Sequence, residues 1–317
     1  MDLERPFRGS EAVGRGVLTP GRLRGPGFVP LGHDVYVAAG TPVDRVTLAR
    51  AAMLRHPDGT VTGTAAAVLW GAGAAVADAG TTTEIPERTE VLVPGAGTRS
   101  RGALDVRRAE LPEDEVVTWP DGGDGAVLRL TSPGRTVLEV ARRLPTVEAV
   151  VVADALARRY GLRTADVVAL ADRHTGERGM ARVRAAAALM DPGADTPRRT
   201  RVRLGVLSAR LPAPLIGAVV TAATTEEVVG ELDLAWPDRR GGVLVDRAPD
   251  DAWARAGALL DHGWEVVSLG AGGEHPVAHV VERVVAFSAR LDRLRWRDVP
   301  DMRGRYPRRP VAPRLWA

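Results

Sequence analysis

The chain has 317 residues, 45% of them hydrophobic, 26% charged and only 4% aromatic, with a net charge of +3; this length exceeds one small core and predicts two or three domains filled by aliphatic side chains. Cysteine is absent and all 43 basic residues are Arg, which excludes disulfides, thiolate zinc sites, Cys nucleophiles, a Walker A loop, a pyridoxal Schiff base and a Lys general base. No apolar run approaches the ~20 residues of a membrane span and Met1–Ser10 lacks the apolar centre of a signal peptide, so a cytoplasmic location without membrane association is expected.

Ser10 predicts the cap of a short helix over Glu11–Arg15, ended by Gly16. Thr19 caps a second, with Pro20 at its first position and Arg22 and Arg24 along it. Gly25-Pro26-Gly27 breaks the chain, and Phe28–Val37 reads as a hairpin around Gly32-His33-Asp34. Short helix, turn, short helix, hairpin is the order of a winged helix. Helices are predicted over Val43–Arg55 and Thr64–Trp70. Residues 71–88 read as a loop, and strands are placed at Thr89–Pro94 and Leu104–Leu111. A loop at Asp121–Gly125 precedes a helical block. Ser132-Pro133 starts its first helix, Thr146–Tyr160 forms the second, Thr164 caps the third, and Met180, Val183, Ala187 and Met190 stripe the fourth. Asp191–Pro197 reads as a linker. Beyond it the pattern gives a helix to about Leu211 and strands near Ile216–Val220, Val228–Trp236 and Gly242–Asp246. A helix over Asp251–His262, a strand at Trp264–Leu269 and a closing helix follow. Three sequential strands predict a meander, to which the crossover helix adds a fourth.

The chemistry concentrates in Glu231-Leu-Asp-Leu-Ala-Trp-Pro237 and Gly242-Val-Leu-Val-Asp246. Alternation puts Leu232, Leu234 and Trp236 on one face and Glu231 and Asp233 on the other. A carboxylate on such a strand is where a nuclease holds Mg²⁺, and the adjacent strand should supply a second. That strand offers Val243, Leu244 and Val245, with an acid only at Asp246. Gly270-Ala-Gly-Gly273 is read as a turn, because too little chain follows for a nucleotide-binding fold. His275 and His279 are read as exposed, and His262 as a helix C-terminal residue. The tail from Arg290 to Ala317 holds nine Arg against three Asp, with Trp296, Tyr306 and Trp316 interspersed. That composition suits nucleic-acid binding or a tail without function. Arg15, Arg22 and Arg24 suit phosphate contacts from a winged helix, or else a solvated face.

With these elements placed, the chain resembles a family of actinobacterial proteins that join an AbiEi-antitoxin-like winged helix to a C-terminal domain similar to the very-short-patch-repair endonucleases, within the PD-(D/E)XK restriction-endonuclease-like superfamily. The resemblance covers roughly residues 7–290. Its carriers are Phe7-Arg-Gly-Ser-Glu-Ala12, Leu18-Thr19, Arg22-Leu-Arg-Gly25 and Asp34-Val-Tyr-Val37. Further along they are Arg107-Arg-Ala-Glu-Leu-Pro112, Ala141-Arg-Arg-Leu-Pro145, Val147-Glu-Ala149, Asp233-Leu-Ala-Trp-Pro237, Ala258-Leu259 and Gly263-Trp264. Nuclease-like members carry a Glu on the first helix, in a Ser-Pro-x-Glu context; Thr196-Pro-Arg-Arg199 puts Arg199 there. Asp233 matches their second-strand Asp. Their third-strand Glu-x-Asp-Gly becomes Leu244-Val-Asp-Arg247, and Ala248-Pro-Asp-Asp251 replaces the His-rich segment that usually follows. A Leu is no ligand for a hard cation, and an Arg near the site would repel one.

The resemblance implies an α+β or α/β multidomain chain. A winged-helix-like domain is expected over 1–60, a mixed then helical domain over 61–190, a degenerate αβββαβ restriction-endonuclease-like domain over 191–290 and a basic tail over 291–317. The expected function is DNA-associated, regulatory and non-catalytic, with Arg15, Arg22 and Arg24 on DNA and no cofactor. The alternatives are a Mg²⁺-dependent endonuclease, with Asp233, Asp246 and Glu231 catalytic and Asp233 and Asp246 on the metal, or an interaction module for a toxin or nuclease partner.

Overall fold

The structure, a computed structural model, describes residues 1–78, 88–95, 104–120, 127–222, 225–245, 249–269 and 277–293. Helices and mixed sheets make it an α+β protein. It divides into two compact units, Met1–Ala187 and Ala188–Ala317. The segments expected as separate domains over 1–60 and 61–190 therefore share the first unit, apart from residues 188–190.

The first unit opens with β1 (Phe7–Arg8), α1 (Gly9–Gly14), α2 (Pro20–Leu23), β2 (Phe28–Gly32) and β3 (Val35–Ala38), the strands forming an antiparallel sheet in the order β1-β3-β2. Thr19 caps α2, accepting from the Arg22 amide at 3.2 Å. Ser10 does not cap α1. It lies inside the helix, and its amide and hydroxyl donate to the Asp34 carboxylate at 2.8 and 2.6 Å. Asp34 sits between the two strands of the hairpin with φ 60°, so the anion serving the helix start comes from 24 residues downstream. Gly9 is required here, since a Cβ would lie 2.6 Å from Leu23 and Tyr36.

Helix α3 (Arg45–Arg55) is capped by Asp44, which accepts from the Thr47 amide at 2.8 Å. Its Leu48 and Ala51 join Leu31, Val35 and Val37 in one cluster. Its Ala52 and Met53 join Val91, Val93, Leu104 and Val106 in another. The second cluster belongs to a five-stranded mixed sheet of order β6-β5-β4-β8-β7. Its strands are β4 (Thr60–Val61), β5 (Thr89–Val93), β6 (Leu104–Arg108), β7 (Val116–Pro120) and β8 (Val127–Thr131). Strands β4, β7 and β8 add to those expected from the sequence; β4 is only two residues long and shows no periodicity. Helices α4 (Gly63–Ala67) and α5 (Gly73–Asp78) flank a π-helical turn at Val68–Ala72, where Gly71 has φ 90°. Helix thus extends into the Gly/Ala-rich stretch expected to be loop. The remaining helices are α6 (Pro133–Arg143), α7 (Thr146–Tyr160), α8 (Thr164–Arg173) and α9 (Met180–Leu189). Ser132 caps α6 as expected. Thr164 does not cap α8; its hydroxyl donates to the Ala187 carbonyl at 3.1 Å, while Asp166 accepts from the Arg163 amide at the helix start.

In the second unit the order is α10 (Pro197–Ser208), β9 (Leu215–Thr221), β10 (Val228–Trp236), β11 (Gly241–Val245), α11 (Pro249–Asp261), β12 (Glu265–Leu269) and α12 (Val277–Arg293). The sheet order is β12-β11-β10-β9, an antiparallel meander with β12 added parallel to β11 across α11. One core cluster joins Val202, Val206 and Val284 of α10 and α12 to Leu234, Trp236, Val243 and Val245. The other joins Leu259 of α11 to Leu232, Ala235, Leu244, Ala218 and Val220. Leu232 and Leu234 therefore face different layers, contrary to simple alternation. The reversal falls where Gly217, with φ 61°, lies between the register pairs Leu232–Ala218 and Leu234–Ile216. Asp233 stands at the reversal. On α11 Leu259 is buried, whereas Leu260 is exposed. Gly263, with φ 78°, ends the helix, and His262 Nδ1 donates to the Ala258 carbonyl.

Candidate functional site

The ladder between β10 and β11 pairs Trp236 with Gly241, Ala235 with Gly242 and Leu234 with Val243, and ends there. Beyond it the amide of Val245 meets a side chain instead of a backbone carbonyl, donating to Asp233 Oδ2 at 2.5 Å. The other carboxylate oxygen is taken by Arg199 of α10, whose Nη2 lies 2.6 Å from Asp233 Oδ1. The side chain of Asp233 has no exposure to solvent, and that of Arg199 only 11%. Arg199 is placed by its helix start, where Thr196 accepts from the Arg199 amide at 3.2 Å and Pro197 occupies the first turn. Asp195 takes the second arm of the same guanidinium. One cation is thus held between two carboxylates, one of them sealed in the core.

Among the described residues, the surroundings of Asp233 do not fit a divalent ion. Both Asp233 oxygens already have donors, and the guanidinium charge stands against that carboxylate, where a bound cation would have to be. Leu244 packs in the apolar layer with Leu232 and Leu259. Glu231 is exposed, whereas Asp233 is 1% exposed, so these two are not gathered at a common buried point. Asp246 lies outside the described residues, as do the Gly270–Gly273 turn, His275 and the tail beyond Arg293. Among the described residues no three His, Asp or Glu side chains group to hold a metal. His279 is paired with Glu282 on α12 at 3.8 Å.

The three Arg residues expected on DNA are all exposed and cluster in sequence about α2. Arg15 follows α1 and pairs with Glu11 at 2.7 Å. Arg22 lies on α2. Arg24 follows it and donates through Nε to the Pro20 carbonyl at 3.1 Å. Helix α2 is only four residues long, and of the three only Arg22 lies on it.

A second assembly of charge does not show in the sequence pattern. Arg135 of α6 is 1% exposed and donates to Glu115 at 2.6 Å and to Glu139 at 2.7 Å. Arg107 of β6 reaches the other oxygen of Glu139 at 2.8 Å. His174, after α8, lies 2.8 Å from Glu115 through Nε2 and 2.7 Å from Glu177 through Nδ1. Arg142 closes the ring by bridging Glu139 and Glu177. Burial alone would raise the Glu139 carboxyl, but the adjacent Arg107, Arg135 and Arg142 hold it below the ordinary carboxylate range. Each of these acids is engaged by a basic partner, so the assembly ties β6, the turn before β7, α6 and the end of α8 together. The signal available in the sequence is indirect: Arg107 and Arg142 both fall within the segments that carry the family resemblance.

No protein-family model matches the sequence, and no curated protein is significantly similar to it.

Proposed function

We propose that this chain is a DNA-associated regulatory protein whose C-terminal unit keeps a restriction-endonuclease-like arrangement as a non-catalytic module. The observation that carries this reading is the Arg199–Asp233 pair. The acid that matches a nuclease metal ligand is neutralised by a cation belonging to the chain, from the helix position where a nuclease carries its own acid. The element order helix, three strands, helix, strand supports the family likeness of that unit. For the N-terminal module, the sheet order β1-β3-β2 with two short helices between β1 and β2 suits a winged helix. Exposed Arg15, Arg22 and Arg24 suit phosphate contacts there. The short α2 favours contacts to the DNA backbone over extensive base reading.

The test combines a mobility-shift titration across salt with a plasmid-nicking assay in Mg²⁺ and Mn²⁺. Wild type is expected to shift duplex DNA with an affinity that falls steeply with salt. The Arg22→Ala/Arg24→Ala variant should bind more weakly, its salt slope reduced by about 0.9 for each phosphate it no longer neutralises. Absence of any shift at low salt refutes DNA association. Metal-dependent nicking that Asp233→Ala abolishes refutes the non-catalytic reading and restores the nuclease.

A further inference from the structure

The residue types present in this chain limit how it can read a base pair. The sequence contains no Asn and no Gln, as well as no Lys. Adenine is read in the major groove through a side-chain amide, which donates to N7 and accepts from N6. That contact is unavailable at every position of the chain. Guanine is read through a guanidinium that donates to O6 and N7 together, and cytosine, its partner, through a carboxylate. The N-terminal module narrows the choice further. The Ser10 hydroxyl donates to Asp34 at 2.6 Å, the Thr19 hydroxyl accepts from the Arg22 amide at 3.2 Å, and Glu11 pairs with Arg15 at 2.7 Å. Arg24 is exposed and differently held: its Nε donates to the Pro20 carbonyl at 3.1 Å. That bond uses the donor beside the stem and leaves Nη1 and Nη2, whose outer N–H groups form a fork. A guanidinium anchored at its stem loses less freedom on binding than a loose one. Gly21 of α2 has no side chain, and nothing lies within 4 Å of where its Cβ would be, so the backbone there can come close to a ligand.

We propose that this module selects a duplex site bearing a G·C pair, with the Nη1 and Nη2 fork of Arg24 on guanine O6 and N7 in the major groove and Arg15 and Arg22 on phosphate, an inference that rests on the DNA-associated reading above and adds which base pair is chosen. The competing way for a basic module to choose sequence is insertion of Arg into a narrow, A·T-rich minor groove, where the negative potential is enhanced. Extended segments make such insertions, and the two that this module offers carry the wrong charge for it. Residues 1–6 expose Asp2 and Glu4, with Arg5 half-buried, and the tip of the hairpin between β2 and β3 carries His33 and Asp34.

Selection from a random duplex pool by the full chain, at one fixed low salt concentration, gives the preferred site, and fluorescence anisotropy on that site measures the preference. A guanine is expected at one position of the enriched sequences. Replacing it with 7-deazaguanine, which lacks only N7, should weaken binding about fivefold or more, as for a lost bidentate base contact. Inosine, which differs from guanine only on the minor-groove edge, should bind as guanine does. Arg24→Ala should retain the melting temperature and level the preference at that position, whereas Arg22→Ala should weaken all duplexes alike. Enrichment of A·T pairs, through thymine-methyl contact with the exposed Val17 or through a narrowed minor groove, overturns the inference. A guanine preference that survives Arg24→Ala or 7-deazaguanine also overturns it. Equal binding to all duplexes overturns it and leaves the DNA-associated reading standing, while no binding at low salt overturns both.

Discussion

Replacing Arg199 with Leu tests the internal ion pair most directly. The substitution leaves the Asp233 carboxylate fully buried with the Val245 amide as a remaining donor. Stripping the partner from a buried charge costs about 3–5 kcal/mol, because the attraction is lost while the desolvation remains. For a unit of this size each kcal/mol lowers the melting temperature by about 4 °C, so the second unit's transition should fall by about 12–20 °C. Arg199→Leu/Asp233→Asn removes both charges while leaving a carbonyl oxygen for Val245. That double variant should recover more than half of the loss. Asp233→Asn alone should cost less than Arg199→Leu, because Asp195 still pairs with the guanidinium. Differential scanning calorimetry of the four proteins gives the coupling energy directly. A loss below about 1 kcal/mol for Arg199→Leu, or a double variant as unstable as the single, refutes the reasoning.

Four further outcomes rest on the same geometry. Because the Glu139 carboxyl is held below its unfolded value, its contribution is present above about pH 4.3 and disappears as pH falls through the lower folded value. A calorimetric pH series should therefore show the first unit's melting temperature dropping below about pH 4, and Glu139→Gln should flatten that drop. Gly242→Ala should cost about 1–3 kcal/mol in urea denaturation, since its Cβ would fall 2.4 Å from the buried Leu232. Gly257→Ala, with nothing within 4 Å of its Cβ in α11, should stabilise by about 0.5–1 kcal/mol in the same assay. Added Mg²⁺ should leave the second unit's transition in place, because a ligand that does not bind the native state cannot shift it. A melting temperature that climbs with Mg²⁺ concentration contradicts the assignment.

Local chemistry explains what is readable in the sequence. Thr19-Pro20, Ser132-Pro133 and Thr196-Pro197 each mark a helix start, and each hydroxyl accepts a backbone amide there. The strand-helix-strand order of the second unit follows from periodicity and from stops such as Gly263. Arg199 is visible as a basic residue at a helix start; its contact with Asp233 is not, since the two are far apart in sequence. The same separation hides the Asp34 carboxylate at the start of α1 and the link between Glu115 and His174. A strict period of 2 misplaces Asp233 itself. Gly217, on the neighbouring strand, adopts a conformation that alternation in β10 does not encode.

Helix α3 gives one inner face to the small N-terminal sheet and another to the five-stranded sheet. The side of that helix which serves the larger sheet would be bare if residues 1–60 were expressed alone. The fragment would expose Ala52 and Met53 to water and leave only the clusters about Phe7 and beneath the hairpin to hold a chain of about 60 residues, a length at which a lone domain is marginal. The small N-terminal module and the rest of the first unit are accordingly one cooperative object: heat or denaturant should melt them together, and any ligand that steadies one should slow hydrogen exchange in the other.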